Sequence, residues 1–218
     1  MLIIGAKGFA KEVLQVFIDR SFSGKIAFYD DVNDAVSGLL FDQFPILKGE
    51  DEVVGFFKES GNEFTIGIGS PVLRYKLYKK IINLGGNFVS SISPMAQIGS
   101  HDVTIGTGSN VLSQSIFSNS TKIGIGCIVY YNVVVTHDCN VGDFVEIAPN
   151  VILLGRCKIG SFSQIGANTT ILPDIKVGKN VVIGAGSVVT IDIPDNSMAM
   201  GIPAKVIRNL EPLNEMYL

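Results

Sequence analysis

The 218 residues contain only two histidines, His101 and His137, and the second is followed directly by Asp138. Imidazole is the one side chain whose unperturbed pKa lies near neutrality, so His137 is the natural candidate for a general base. Asp138 can fix its tautomer and stabilise the imidazolium, provided the chain bends enough between them to bring the carboxylate round. The plainer alternative is a surface histidine beside a structural aspartate, and for His101 the incidental reading is preferred. Acyl transfer from a thioester to an amine or hydroxyl also needs a donor for the oxyanion and a slot for the pantetheine arm. Gly155, further along the chain, lacks a side chain, so its N–H can approach a thioester oxygen closely; it also suits a corner. Gly184, Ala185 and Gly186 are small enough for a narrow pantetheine groove, and equally for a tight corner. Lys205 and Arg208 are two cations that can meet CoA phosphates, or belong to a solvated tail.

What positions these residues is a repeat. Fifteen consecutive six-residue blocks run from Ile105 to Pro194, each opening with an aliphatic or aromatic residue. The fifth position of every block is small or β-branched, from Ser109 to Ile193. A fixed short period of this kind marks a solenoid. Gly106, Gly124, Gly142, Gly160 and Gly178 recur in every third block, which predicts three blocks per coil, three flat faces and a glycine-lined corner. In this phase His137 takes the third position of its block, an outward-facing corner, and Gly155 takes the same position one coil later. Cys127, Cys139 and Cys157 fall on the inward small position. A first block at Ile98-Gly99 precedes Ile105 with one residue too many, so the first coil is expected to be irregular or bulged.

Residues 1–90 follow a different pattern. Leu2–Ile4 reads as a strand ending in the turn Gly5-Ala6-Lys7-Gly8, and a helix with Val13, Leu14, Phe17 and Ile18 on one face follows. A strand over 25–29 stops at Asp30-Asp31. Further helices are expected over 49–59 and 73–84, with strands over 64–68 and 88–89. This alternation predicts a small parallel sheet of the nucleotide-binding kind. The glycine turn, with Ala6, Lys7 and Gly8, can cradle a phosphate at a helix N-terminus, although a bare GxxG is a weak signal. Asp30 and Asp31 fall where such sheets read a ribose or base, and Lys7 and Arg74 are possible phosphate partners.

Apolar residues make up 47% of the chain and charged residues 17%, enough to bury a core, and the net charge of −3 gives no reason to expect nucleic acid. No apolar run is long enough for a membrane span. The N-terminus lacks a leader pattern and reads as mature cytoplasmic sequence.

Taken together, G-A-K-G-F-A-K-E at Gly5–Glu12, the Asp30-Asp31 pair, I-G-I-G-S at Ile66–Ser70, H-D-C-N-V-G-D-F at His137–Phe144, I-G-A-G-S-V-V at Ile183–Val189 and G-I-P-A-K at Gly201–Lys205 are informative. The chain resembles, end to end, the hexapeptide-repeat sugar O-/N-acyltransferases. These include bacterial nucleotide-amino-sugar N-acetyltransferases and sialic acid O-acetyltransferase-like proteins. The resemblance implies a Rossmann-like nucleotide-sugar-binding domain over 1–90 and a left-handed parallel β-helix over 91–218 that ends in a C-terminal tail. It implies acetyl-CoA as co-substrate, no metal, and a homotrimer with each active site between neighbouring prisms. His137 would be the base and Asp138 its support. The amide of Gly155 would hold the thioester oxygen, with Ala167 and Gly184–Gly186 lining the CoA groove. Ala6, Gly8, Asp30 and Asp31 would grip the nucleotide sugar. Two positions depart from the pattern of several members: Tyr130 stands where an Asn precedes the histidine, and Glu146 where a second His follows it.

The leading expectation is N-acetylation of a nucleotide-linked amino sugar. O-acetylation of a sugar hydroxyl uses the same machinery, and a non-enzymatic nucleotide-sugar-binding protein is a third possibility. A γ-carbonic-anhydrase-like zinc site needs three imidazoles, which His137 and His101 do not supply convincingly even when shared between subunits.

Overall fold

The computed structural model describes residues 1–213. The rest of the expected C-terminal tail lies outside that range. The chain begins with β1 (Leu2–Ile4), α1 (Gly8–Asp19), β2 (Ala27–Tyr29), β3 (Leu39–Leu40) and β4 (Phe44–Leu47). It continues with α2 (Glu50–Ser60), β5 (Glu63–Ile66), α3 (Pro71–Asn83) and β6 (Asn87–Phe88). The strands form one sheet in the order β3-β4-β2-β1-β5-β6, parallel except for the β3–β4 hairpin. The strand order reverses at β1, which opens a crevice beyond the carboxyl ends of β1 and β5. Continuous apolar runs such as Leu2-Ile3-Ile4 fit strands covered on both faces. Ile18, expected on the buried face of α1, is half exposed, and Val16 is buried there instead.

From Ser91 onward, two-residue strands stack into three parallel sheets around a dry core. The first face carries Asn110–Val111, Ile128–Val129, Glu146–Ile147, Gln164–Ile165 and Val182–Ile183. The second carries Ile116–Phe117, Val134–Val135, Ile152–Leu153, Thr170–Ile171 and Val188–Val189. The third carries Lys122–Ile123, Asn140–Val141, Lys158–Ile159 and Lys176–Val177. Leading and fifth positions point inward, and the three cysteines are buried free thiols.

The corners are made differently from expectation. None of Gly106, Gly124, Gly142, Gly160 and Gly178 has a positive φ. They are needed because successive coils touch there: a Cβ on Gly160 would lie 2.5 Å from the carbonyl oxygen of Gly178. The left-handed residue is instead the fourth of each block, from Gly108 (φ 75°) through Asn132, Asp138, Asn150 and Asn168 to Gly186 (φ 70°). Asn, Asp and Gly visit that region most readily.

Both ends of the prism leave the three-block register. In the first coil Ile98 pairs with Phe117, one residue beyond three full blocks, whereas Ile105 pairs with Ile123 in register. The extra residue therefore lies between Ile98 and Ile105, as expected of an irregular start. At the other end Val177 bridges Ile193 and Ile183 pairs with Ala199, each two residues short of three blocks. The block Val189–Pro194 is thus not a regular hexad: Ile193, expected at the small inward position, takes a leading position two residues early. Gly201–Lys205 does not leave the prism either. Ser197–Gly201 and Ala204–Asn209 form an antiparallel hairpin that extends the first face.

The two parts are joined by buried polar contacts. Asn110 accepts from the Thr65 hydroxyl (2.8 Å) and the Ser91 hydroxyl (2.5 Å), and its amide donates to the Ile66 carbonyl (2.8 Å). Arg74, only 1% exposed, donates to the carbonyls of Gly126 (3.1 Å), Phe144 (2.8 Å) and Val145 (3.2 Å), and also to that of Gly69. Burial pulls its pKa down to about 10, so it stays charged at neutral pH. Arg74 is thus an interdomain clamp and is not available to a phosphate. Beside it Tyr75 sets its ring edge-on against Phe144 and Phe162, which stack on each other at 5.7 Å.

Candidate functional site

The sharp corner at Asp138 (φ 61°) turns its carboxylate back onto the preceding side chain, and Oδ2 lies 2.7 Å from Nδ1 of His137. An ionised carboxylate only accepts, so Nδ1 carries the hydrogen and Nε2 is left as the free acceptor. Both side chains are about half exposed, at 55% and 54%. The imidazole lies over the next coil: a Cβ on Gly155 would sit 2.6 Å from its Cε1 and Nε2. Gly155 therefore supplies the space in which the ring rests. His101 occupies the same corner two coils earlier, roughly 10 Å away by strand spacing, where its N–H donates to the Asn119 side chain.

Backbone pairing fixes the corner and leaves one donor free. Arg156 N–H donates to the His137 carbonyl, and Asp174 N–H to the Gly155 carbonyl, each at 3.0 Å. Among the described residues no acceptor takes the N–H of Gly155, nor those of Ala167 and Ala185 at equivalent third positions. Alongside runs a pair that sequence reasoning missed: Arg156 grips Asp174 at 2.6 and 2.8 Å. The Arg156 hydrogen bond holds the Asp174 carboxyl below its usual range. Only a count of one full coil between two charged corner positions could have signalled it.

His137, Asp138 and Gly155 lie on the corner after the second face. Ala167 and Gly184–Gly186 lie on the corner before it, so one chain does not bring the two sets together. Lys205 is exposed on the terminal hairpin opposite Met200, whose Cβ is the nearest neighbour of Gly184. It therefore shares the prism end with Gly184–Gly186.

In the N-terminal domain Gly5 (φ 94°) makes the turn, and a Cβ there would meet Ile68 at 2.9 Å. Ala6 is buried; Lys7 is the extended N-cap of α1, whose first turn has no acidic residue. A Cβ on Gly8 would meet open space. The geometry suits an anion over the first free N–H groups. A recess of about 320 Å³ bounded by Ala6, Lys7, Gly8 and Lys11 adjoins it. The ammonium of Lys7 donates to the Asn33 side chain.

Asp30 and Asp31 have different surroundings. Asp30 is 5% exposed and accepts from the N–H (3.0 Å) and side-chain amide (2.8 Å) of Asn33, which shapes the loop. Asp31 lines a cavity of about 110 Å³ with Gly5, Tyr29, Ile68, Leu73 and Leu77. Burial alone would raise its carboxyl, but hydrogen bonds from Lys80 and Tyr29 outweigh this and hold it below the usual range. Lys80 was not foreseen, because nothing in a helical sequence says where its ammonium lands.

Tyr130 and Glu146 meet where the domains join. Tyr130 packs against Phe9 of α1, with ring centroids 5.1 Å apart. Glu146 accepts from the Gln164 side chain at 2.8 Å. Burial raises the pKa of both groups.

Two sequence profiles match, one described as the PglD N-terminal domain over residues 1–81 and one as the bacterial transferase hexapeptide (six repeats) over 156–190. No curated protein sequence matches the chain. Among solved structures, the acetyltransferase domain of PglB from Neisseria gonorrhoeae in complex with acetyl coenzyme A is 30% identical. The match covers 94% of this chain and 98% of that one, with a TM-score of 0.86. A His-to-Asn mutant of perosamine N-acetyltransferase from Caulobacter crescentus, in complex with CoA and GDP-perosamine, is 25% identical. It covers 95% of this chain and 96% of that one at a TM-score of 0.86. WeeI from Acinetobacter baumannii is 28% identical over 94% and 98% of the two chains, with a TM-score of 0.85.

Proposed function

Because the chain belongs to the hexapeptide-repeat sugar acyltransferases, with their α/β N-terminal domain and left-handed parallel β-helix, we propose that it moves the acetyl group of acetyl-CoA onto the amine of a nucleotide-linked amino sugar. It is an acyltransferase; among its relatives the perosamine N-acetyltransferase was crystallised with CoA and GDP-perosamine, and the PglB acetyltransferase domain with acetyl coenzyme A. The observation that carries the mechanism is the 2.7 Å contact of His137 with Asp138 beside the unpaired N–H of Gly155.

In this reading residues 1–90 hold the nucleotide and 91–218 perform the transfer. The amine arrives as an ammonium and gives up a proton to Nε2 of His137, directly or through water. The free amine attacks the thioester carbonyl, forming the C–N bond, and the Gly155 N–H receives the developing oxyanion. As the C–S bond breaks, the imidazolium passes its proton to the departing sulfur, and the freed Nε2 takes the second proton from the nitrogen. Asp138 keeps the imidazole oriented and stabilises its charged form. The N–H groups of Ala167 and Ala185 can receive pantetheine carbonyls, and Lys205 a CoA phosphate. The Ala167 corner and the His137 corner of one chain border opposite edges of the second face. Two neighbouring prisms would bring them together, which supports a homotrimer.

Replacing His137 with Ala should cut turnover on the order of 10²–10⁴-fold. Near-normal turnover would sink the mechanism. Tyr130 and Glu146, where the family pattern is broken, leave the base and CoA site intact and bear on the acceptor, for which a sugar hydroxyl is the second reading. Parallel assays with amino-sugar nucleotides and sialic acid separate the two.

A further inference from the structure

Side chains cap the corner between the third and first faces. The backbone N–H at the third position of a block donates to a side-chain oxygen one coil on. Ile125 donates to Asp143 at 2.9 Å, Asp143 to the Ser161 hydroxyl at 3.0 Å, and Lys179 to Asp195 at 2.8 Å. Two rungs of this column are missing. Thr107 meets Ile125 one coil on and Ser161 meets Lys179, and neither of those side chains can accept. Among the described residues nothing takes the Ser161 N–H. The Ser161 hydroxyl, which accepts from Asp143, keeps its own hydrogen to donate.

Only the gap at Ser161 is ringed by cations. Lys158 and Lys176 stand outward on the third face in direct register, one strand spacing (~4.8 Å) apart. Like charges set opposite each other repel. Among the described residues no carboxylate pairs with the ammonium of Lys158, Lys176 or Lys179. Asp192 and Asp195 instead turn an oxygen onto the backbone N–H of Lys176 and of Lys179, each at 2.8 Å. The three lysines, Ser161 and Asp195 bound a recess of about 260 Å³, and the Ser161 corner lies across the third face from that of His137.

We propose that this recess binds a phosphate group, held by the N–H and hydroxyl of Ser161 and by the ammonium groups of Lys158, Lys176 and Lys179. The anion supplies the acceptor that the column lacks and offsets the repulsion between the lysines. A carboxylate brings two oxygens to these five donor groups, whereas a phosphate brings up to four. The volume equals roughly nine waters' share of the liquid, more than one phosphate fills, so the group can be free or carried on a lipid headgroup. The site stands apart from the transfer chemistry and does not rest on the nucleotide-sugar reading.

The test has two arms: calorimetric titration with inorganic phosphate, and flotation with phosphatidylcholine vesicles with and without phosphatidylglycerol. Binding in the first arm identifies free phosphate as a ligand, and binding in the second alone identifies a lipid headgroup; either supports the site. In whichever arm binds, Lys176→Gln should weaken binding about 10-fold or more, the worth of one hydrogen bond between charged groups. Lys179→Ser puts at that corner the acceptor that Ser161 itself provides one coil earlier. It should weaken binding at least as much while melting no lower than the native protein. Lys122→Gln, on the same face two coils before Lys158, should leave binding unchanged. No binding in either arm overturns the proposal, as does equal weakening by Lys122→Gln and Lys176→Gln, the mark of diffuse charge. Phosphate binding that survives Lys176→Gln and Lys179→Ser together belongs elsewhere, at the Gly8 turn for instance, and also overturns it. Lys176 is exposed, so Lys176→Gln decides the matter even if Lys179→Ser does not fold.

Discussion

The imidazole of His137 rests on Gly155, one coil further along the same corner, so closely that no side chain fits between them. The proposed base and the proposed oxyanion donor are therefore set against each other by the stacking of the solenoid itself. Gly155→Ala should push the ring out of place while leaving the prism folded. A displacement of about 1 Å costs on the order of 10²-fold in rate. Steady-state kcat/KM alongside a melting curve checks this, and unchanged turnover would show that the ring position does not matter.

Asp138 carries a backbone role (φ 61°) as well as its contact with His137. Asp138→Asn keeps a residue type that tolerates the left-handed corner and removes only the charge. Turnover should fall at least about 10-fold, with thermal stability close to native. Asp138→Ala should lose stability as well, by roughly 1 kcal/mol. Equal activity of native and Asn protein would reduce Asp138 to a corner residue.

Gly160 tests why the glycine column exists. Its φ is ordinary, but an added Cβ would lie 2.5 Å from both the Gly178 carbonyl oxygen and the Lys179 nitrogen. Gly160→Ala should cost about 1–3 kcal/mol, the range of core overpacking. Gly186 has φ 70° and open space around it, so Gly186→Ala is penalised by conformation alone. Denaturant unfolding of both variants measures the two causes separately; a neutral Gly160→Ala would mean the coils can spread.

Glu146 gives a pH signature. Burial raises its carboxyl pKa, only partly offset by Gln164 and Arg74. The folded chain then holds this proton more tightly than the unfolded one. The associated stability is full below the ordinary carboxyl range and is lost as pH rises through the raised value. Glu146→Gln should therefore melt above the native protein at pH 7, with the difference shrinking towards pH 4. A difference independent of pH would contradict the assignment.

Much of this was readable from residue order because a six-residue period leaves few choices for direction. The phase of Val135 placed His137 outward, and the same count buried Cys139 and Cys157. Contacts made across chain distance were not readable. Arg74 looks like a phosphate ligand until α3 docks it against the carbonyls of Gly126, Phe144 and Val145. The glycines in every third block suggested a left-handed corner, whereas their reason is contact between coils, which only a stacked structure reveals. Ile193 satisfies a hexad on paper, yet the chain shortens its last coil by two residues to meet Val177.

That shortened coil and the lengthened first one have a consequence for assembly. A stack of parallel rungs exposes unpaired backbone at both ends, an open template for a second copy to continue the ladder. Here the bottom coil is one residue longer than three blocks, the top is two residues shorter, and only the interior keeps the even period. Copies laid end to end would meet with their rungs out of step on at least one face, and on the first face the antiparallel hairpin stands in the way. The terminal hairpin thus covers the edge along which the parallel ladder of the first face would otherwise continue.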